Sequence, residues 1–201
     1  MDVDFNWLLT WKIILLQNSR KMNAFEEIVA GLLRQEGYWT IVGYKVNLSK
    51  AKKVELGKPS LPRPEIDILA YQVAQNLLLW VECKSYLDSR GVTIAPFRDK
   101  NDKGAERYKV FTRPDYRIIV TEELVKQVVA TQMALPNPTV KYCLVAGRIA
   151  TDSDRKELHQ YFEEQDWLLY DDKWIRQRLE KASAGSYEDD IAVIVAKLFS
   201  R

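Results

Sequence analysis

Pro64-Glu65-Ile66-Asp67-Ile68-Leu69-Ala70-Tyr71, then a polar interruption from Gln72 to Asn76, then Leu77-Leu78-Leu79-Trp80-Val81-Glu82-Cys83-Lys84, is the stretch from which the fold can be read. Two short apolar runs rich in strand-forming residues, separated by a few polar ones, predict two adjacent buried strands. Charged residues interrupt them: Asp67 lies inside the first run, and Glu82 and Lys84 end the second. Side chains alternate along a strand, so Glu82 and Lys84 are expected on one face and Cys83 on the other. Pairing of the two runs through the turn brings Asp67 beside them. Two carboxylates and an ammonium then converge on the edge of a largely apolar sheet. Removing ions from water is costly unless they are paired or bind a metal. Two neighbouring carboxylates suit a hard divalent cation such as magnesium, which takes oxygen ligands and keeps several waters. A lysine alongside could stabilise phosphate charge or position a water, an inventory that describes metal-assisted phosphodiester hydrolysis.

The Asp67, Glu82-Cys83-Lys84 arrangement, spaced by 82 − 67 = 15 residues, resembles the motif of the PD-(D/E)XK nucleases, the restriction-endonuclease-like superfamily. The opening half of the chain is most similar to its Holliday-junction resolvases and restriction endonucleases, in which a helix glutamate precedes a glycine-aromatic pair by eleven residues. Here Gly37-Tyr38 follows Glu26 by 37 − 26 = 11. The proline departs from the usual pattern, standing three places before Asp67 rather than next to it. The resemblance implies an α/β fold: a restriction-endonuclease-like mixed sheet core in the order αβββαβ, flanked by helices. It also implies a Mg²⁺-dependent deoxyribonuclease, with Mn²⁺ as a substitute. Asp67, Glu82 and the main-chain carbonyl of Cys83 would be the metal ligands, and Asp67, Glu82, Lys84 and Glu26 the catalytic set. Three residues at such spacing recur by chance, so their context carries much of the signal.

Composition agrees with an ordinary globular chain: 201 residues, 47% hydrophobic and 29% charged, enough for a sizeable core in one domain. Within it, residues 1–21 read as an accessory segment, 22–150 as the core and 151–201 as an α/β extension. The net charge of +2 decides little, but its distribution is informative. Residues 45–63 hold Lys45, Lys50, Lys52, Lys53, Lys58 and Arg63 against Glu55 alone. Such a segment can draw a polyanion toward an acidic site, making Lys50, Lys52, Lys53, Lys58 and Arg63 candidate DNA contacts. A solvated lysine loop explains the same charges without any partner.

Cys83 and Cys143 lie in apolar runs without metal-ligand spacing, and His159 is the single histidine. Zinc and thiol-histidine chemistry are thereby disfavoured, and reduced buried cysteines suit a cytoplasmic protein. The apolar run Phe5 to Leu16 contains Lys12, follows Asp2 and Asp4, and is too short to span a bilayer. It reads as a packing or homodimer element, and Met22 is an alternative start.

Along the chain, residues 23–36 predict an amphipathic helix capped by Asn23. Glu26, three residues after the cap, fits a capping box as well as a metal site. Trp39 to Val46 predicts a strand, and the lysine- and proline-rich loop to Pro64 no regular structure. Tyr116 to Val120 reads as strand or helix start, and Thr121 caps a crossover helix to about Ala134. Val140 to Gly147 is a buried strand, followed by a helix to Glu164, a short strand Trp167 to Tyr170, a helix broken at Gly185 and a terminal helix from Asp189 to Phe199. His159 is expected at the surface. Two rivals to the nuclease remain: a catalytically silent DNA-binding or assembly protein, and a hydrolase of small phosphoesters with an enclosed pocket.

Overall fold

The computed structural model describes residues 23–99, 101–185 and 190–199; the apolar run from Phe5 to Leu16 and Met22 lie outside them. Five strands form one mixed open sheet in the order β1-β2-β3-β4-β5: β1 (Trp39–Lys45), β2 (Glu65–Gln72), β3 (Leu77–Lys84), β4 (Thr139–Ala146) and β5 (Leu168–Tyr170). β1, β2 and β3 run antiparallel to one another, whereas β3, β4 and β5 are parallel. A parallel neighbour requires a crossover, and the segment between β3 and β4 supplies it.

Helices cover both faces of the sheet. On one side α1 (Ala24–Gln35) packs Val29, Leu32 and Leu33 against Ile68, Leu79, Val81 and Cys143, with Ile175 of α7 (Asp172–Ala184) and Ala192 of α8 (Ile191–Phe199) completing that core. On the other, Leu69, Leu78 and Trp80 meet α4 (Lys109–Thr112), α5 (Pro114–Ala130) and α6 (Asp152–Glu164). Here Phe97, Phe111, Phe162 and Trp167 form a chain of tilted and edge-on aromatic contacts. Two short helices, α2 (Lys50–Glu55) and α3 (Ala95–Arg98), lie in the connections. Among the described residues no helix is long and apolar enough to cross a membrane.

Two expectations change. The lysine loop is helical over Lys50–Glu55, because the Ser49 side chain accepts a bond from Lys52 N and every proline of the loop comes later. The crossover helix begins at Pro114 rather than Thr121, with proline in its first turn where its missing N–H costs nothing. Tyr116 to Val120 is thus helical. His159 is exposed, as expected, and its Nε2 lies 3.3 Å from the Asp171 carboxylate. Asp171 caps α7 by accepting from the N–H groups of Lys173 and Trp174, and it pairs with Arg155.

The β1–β2 pair has one irregularity that matters for the site. Val42 and Ile68 belong to the α1 side, yet Tyr44 and Ile66, two residues along each strand, pack into the opposite core. Alternation would keep such residues on one face, so both strands turn over between them. The residues at the crossover are Gly43, with φ +69, and Asp67. A left-handed backbone is readily adopted only by glycine, which is why Gly43 permits the switch.

Candidate functional site

The charged residues of β2 and β3 gather at the C-terminal end of β3, next to this switch. There Glu82, Cys83 and Lys84 pair with Leu144, Val145 and Ala146 of β4, and Gly147 N donates to the Lys84 carbonyl at 2.8 Å. Cys83 is buried with the α1 core, while Lys84 Nζ reaches back along its own face to Glu82 Oε1 at 2.5 Å. Alternation predicts that division. Asp67 Oδ2 accepts a bond from Cys83 N at 2.8 Å, which ties the β2 carboxylate to the middle of the Glu82-Cys83-Lys84 sequence.

Glu26 enters from the first turn of α1 and is 2% exposed. Its Oε1 accepts from the side-chain amide of Asn23 at 2.6 Å, while the Asn23 carbonyl oxygen of that side chain caps Phe25 N at 3.1 Å. The expected capping box is therefore altered: the glutamate meets the cap's side chain, and Glu26 faces the interior. Its charge is felt by both Glu82 and Cys83. The structure thus brings Asp67, Glu82 and Lys84 together through the Cys83 amide and the Lys84–Glu82 pair, with Glu26 acting on Glu82 by its charge.

Burial and the neighbouring Asp67 push the Glu82 carboxyl up to about 7, with Glu26 adding to the rise and Lys84 opposing it. Burial pulls Lys84 down, but Glu82 and Asp67 outweigh it and hold the ammonium above its ordinary value. Burial raises the Cys83 thiol, aided by Asp67 and Glu26, so its side chain is a neutral filler. One ammonium, Lys84, therefore faces two carboxyl groups, Glu82 and Asp67, a cluster short of positive charge. Among the described residues no group of three or more His, Cys, Asp and Glu side chains is gathered to hold a metal ion. A magnesium ion needs only one or two carboxylates, filling its other positions with neutral oxygens, so the donor set present still fits one.

The lysine-rich segment is only partly aligned with this cluster. Lys52 pairs with Glu55 at 3.0 Å and Glu122 at 3.8 Å, and Lys58 lies 4.0 Å from Glu106. Lys50 is exposed and Lys53 half-buried on α2. Arg63 alone of the five candidate contacts lines the cavity beside Glu82, a space of about 300 Å³. Its other walls include Trp80, Arg107, Lys109, Val110 and Tyr116. Burial and Glu82 push the Tyr116 hydroxyl up to about 12. On the other side of the cluster, the ring centroid of buried Tyr108 lies 5.9 Å from Lys84 Nζ. The tyrosines come from a segment without clear periodicity, and only the positive charges of Arg107 and Lys109 hinted at this wall in sequence.

Compared with family models, with curated proteins and with solved structures, the chain matches none.

Proposed function

We propose that the protein is a divalent-cation-dependent endonuclease acting on DNA, with a core of the restriction-endonuclease-like type. The observation that carries this reading is the convergence of Asp67, Glu82 and Lys84 at the end of β3, with Glu26 delivered from α1. Asp67, Glu82 and the Cys83 carbonyl are the candidate ligands of Mg²⁺ or Mn²⁺. When bound, such an ion neutralises phosphate charge and acidifies a coordinated water.

The protein's own residues have distinct tasks. Asp67, fastened to Cys83 N, is held in place across the β2–β3 pair. Lys84 is kept charged by its carboxylate neighbours, and can pass from Glu82 to a phosphate oxygen or hold the attacking water by hydrogen bonding. Glu26 can orient a water from the α1 side. Arg63, Arg107 and Lys109 supply positive charge that counters repulsion between a nucleic-acid backbone and the carboxylates.

Purified protein incubated with supercoiled, linear and branched DNA, in Mg²⁺, Mn²⁺ or EDTA, tests the reading. Cleavage is expected with either metal and absent in EDTA, and Asp67→Ala or Lys84→Ala should reduce it by orders of magnitude with the fold retained. Undiminished cutting by either variant refutes the assignment. The direct Lys84–Glu82 pair favours a second reading, a structural ion cluster in a silent DNA-binding protein, which would bind DNA in EDTA and cut it under no condition.

A further inference from the structure

The cavity beside Glu82 contains a hydroxyl that the candidate metal ligands and Lys84 leave without a task. Along β3 the side chains of Trp80, Glu82 and Lys84 follow one another on one face at two-residue steps, so Glu82 stands between the other two. Lys84 meets Glu82 from the C-terminal side of the strand at 2.5 Å. On the opposite side Tyr116 of α5 packs edge-on to Trp80, with ring centroids 6.4 Å apart, and lines the cavity together with Glu82. Tyr116 is partly exposed, and its Oη is open to solvent with no hydrogen-bond partner among the described residues.

That placement matches what hydrolysis at phosphorus requires. The attacking water and the departing oxygen lie on opposite sides of the phosphorus atom. A phosphate seated at Glu82, with its water held by Lys84, therefore turns its departing oxygen toward Tyr116. An alkoxide leaves poorly unless it gains a proton as the bond breaks. Of the other groups lining the cavity, Arg63 and Arg107 do not release a proton, and Lys109, Glu65 and Glu106 are engaged in ion pairs. Burial and Glu82 push the Tyr116 hydroxyl up to about 12, so at neutral pH it holds a proton to give. A phenol is still a stronger acid than a sugar hydroxyl, so the transfer runs downhill.

We propose that Tyr116 is a catalytic residue, the general acid that donates its Oη proton to the oxygen leaving phosphorus when the DNA strand is cut. This deepens, and rests on, the nuclease reading above. In that step the water oxygen bonds to phosphorus while the bond from phosphorus to the departing oxygen breaks. The departing oxygen keeps the bonding pair and takes the Tyr116 proton. The attacking water gives up a proton to solvent, and the phenolate recovers one from solvent, so that one water is consumed in all.

The test compares parent and Tyr116→Phe, which keeps the ring against Trp80 and deletes the hydroxyl; melting curves check its fold. In single-turnover cleavage with Mg²⁺ the variant should be slower by about a hundredfold, the lower range for loss of a general acid. The departing oxygen is identified from the product ends, and the same DNA is then made with sulfur in its place. A thiolate leaves without a proton, so on this substrate the variant should cut within about threefold of the parent, a rescue that a merely structural tyrosine would not show. A second readout needs no turnover. In Lys84→Ala protein carrying tyrosine labelled with ¹³C at Cζ, the Tyr116 resonance, assigned by its disappearance when Tyr116→Phe is added, should move on binding DNA with Mg²⁺ as Oη gains a partner. Parent-like cutting of ordinary DNA by Tyr116→Phe, an equal defect on the sulfur substrate, or an unmoved resonance with DNA bound would overturn the acid role and leave the nuclease reading standing. If the parent cuts no DNA, the nuclease reading fails and the acid role falls with it; a moving resonance then makes Tyr116 a contact of a silent DNA-binding protein.

Discussion

Replacing Glu82 by glutamine should alter the way stability depends on pH. In the folded protein burial and Asp67 raise this carboxyl from 4.5 to about 7, so between those values the native state holds a proton that the unfolded chain releases. Stability falls with rising pH wherever the native state binds more protons. The loss attributable to Glu82 therefore begins near pH 4.5, grows through pH 6 and is complete a little above pH 7. Its size over this interval, at about 1.4 kcal/mol per pH unit, is roughly 3 kcal/mol. Glutamine cannot ionise, and Lys84 stays charged across the window, so subtracting the variant's profile isolates the carboxyl. Urea denaturation of parent and Glu82→Gln at intervals from pH 4.5 to 8 measures the difference. The parent should lose roughly 3 kcal/mol relative to the variant over that range. Under the proposed function, Mg²⁺ or Mn²⁺ should recover part of the loss above pH 6 in the parent but less in the variant. Parallel profiles without metal would mean that Glu82 titrates as an ordinary surface carboxylate, and the electrostatic argument for the cluster would fail.

Other outcomes can be checked in the same preparations. Gly147→Ala should destabilise by about 1–3 kcal/mol in chemical denaturation, because its Cβ would meet the Ser85 carbonyl oxygen at 2.4 Å and the Phe25 ring at 3.1 Å. Asn23→Ala should cost about 1 kcal/mol by removing the cap of α1, and its loss of the bond to Glu26 should show as a shifted pH profile of metal-dependent activity. Asp171→Ala should cost about 3 kcal/mol, the low end for breaking a buried pair because Asp172 still holds Arg155 at 2.9 Å. Burial pushes the Asp171 carboxyl up, but bonds from Trp174 N–H, His159 and Arg155 bring it below its ordinary value. The parent's advantage over this variant should consequently be present above pH 4 and shrink under more acid conditions in the same denaturation assay.

The elements most legible in sequence are those whose pattern and packing agree. β2, β3 and β4 are short runs dominated by apolar and strand-forming residues, and α1 has an unambiguous stripe in Val29, Leu32 and Leu33. The convergence of Asp67, Glu82 and Lys84 was legible for the same reason: alternation fixes two of them on one face and a short turn brings in the third. Tyr116 to Val120 stayed open between strand and helix because its apolar, β-branched residues suit a strand, whereas Pro114 starts a helix whose Val120 and Leu124 are buried. The short helix α2 is masked in the sequence by the prolines that lie beyond its end. The switch at Gly43 and Asp67 could not be read from local pattern, since it depends on both strands turning over together. Nor could the cavity, whose walls are drawn from Arg63, Trp80 and the 107–116 segment.

Because β3 carries alternating demands, its charges also enforce alignment. Sliding it by one position against β2 would flip every side chain, carrying Glu82 and Lys84 beneath α1 among Val29 and Leu33 and sending Cys83 to the opposite side. The apolar residues alone would resist such a slip weakly, since Leu78, Leu79, Trp80 and Val81 are hydrophobic on both faces. The ion pair at the strand's end thus selects the native register, because a slipped strand would carry both charges into the apolar layer beneath α1.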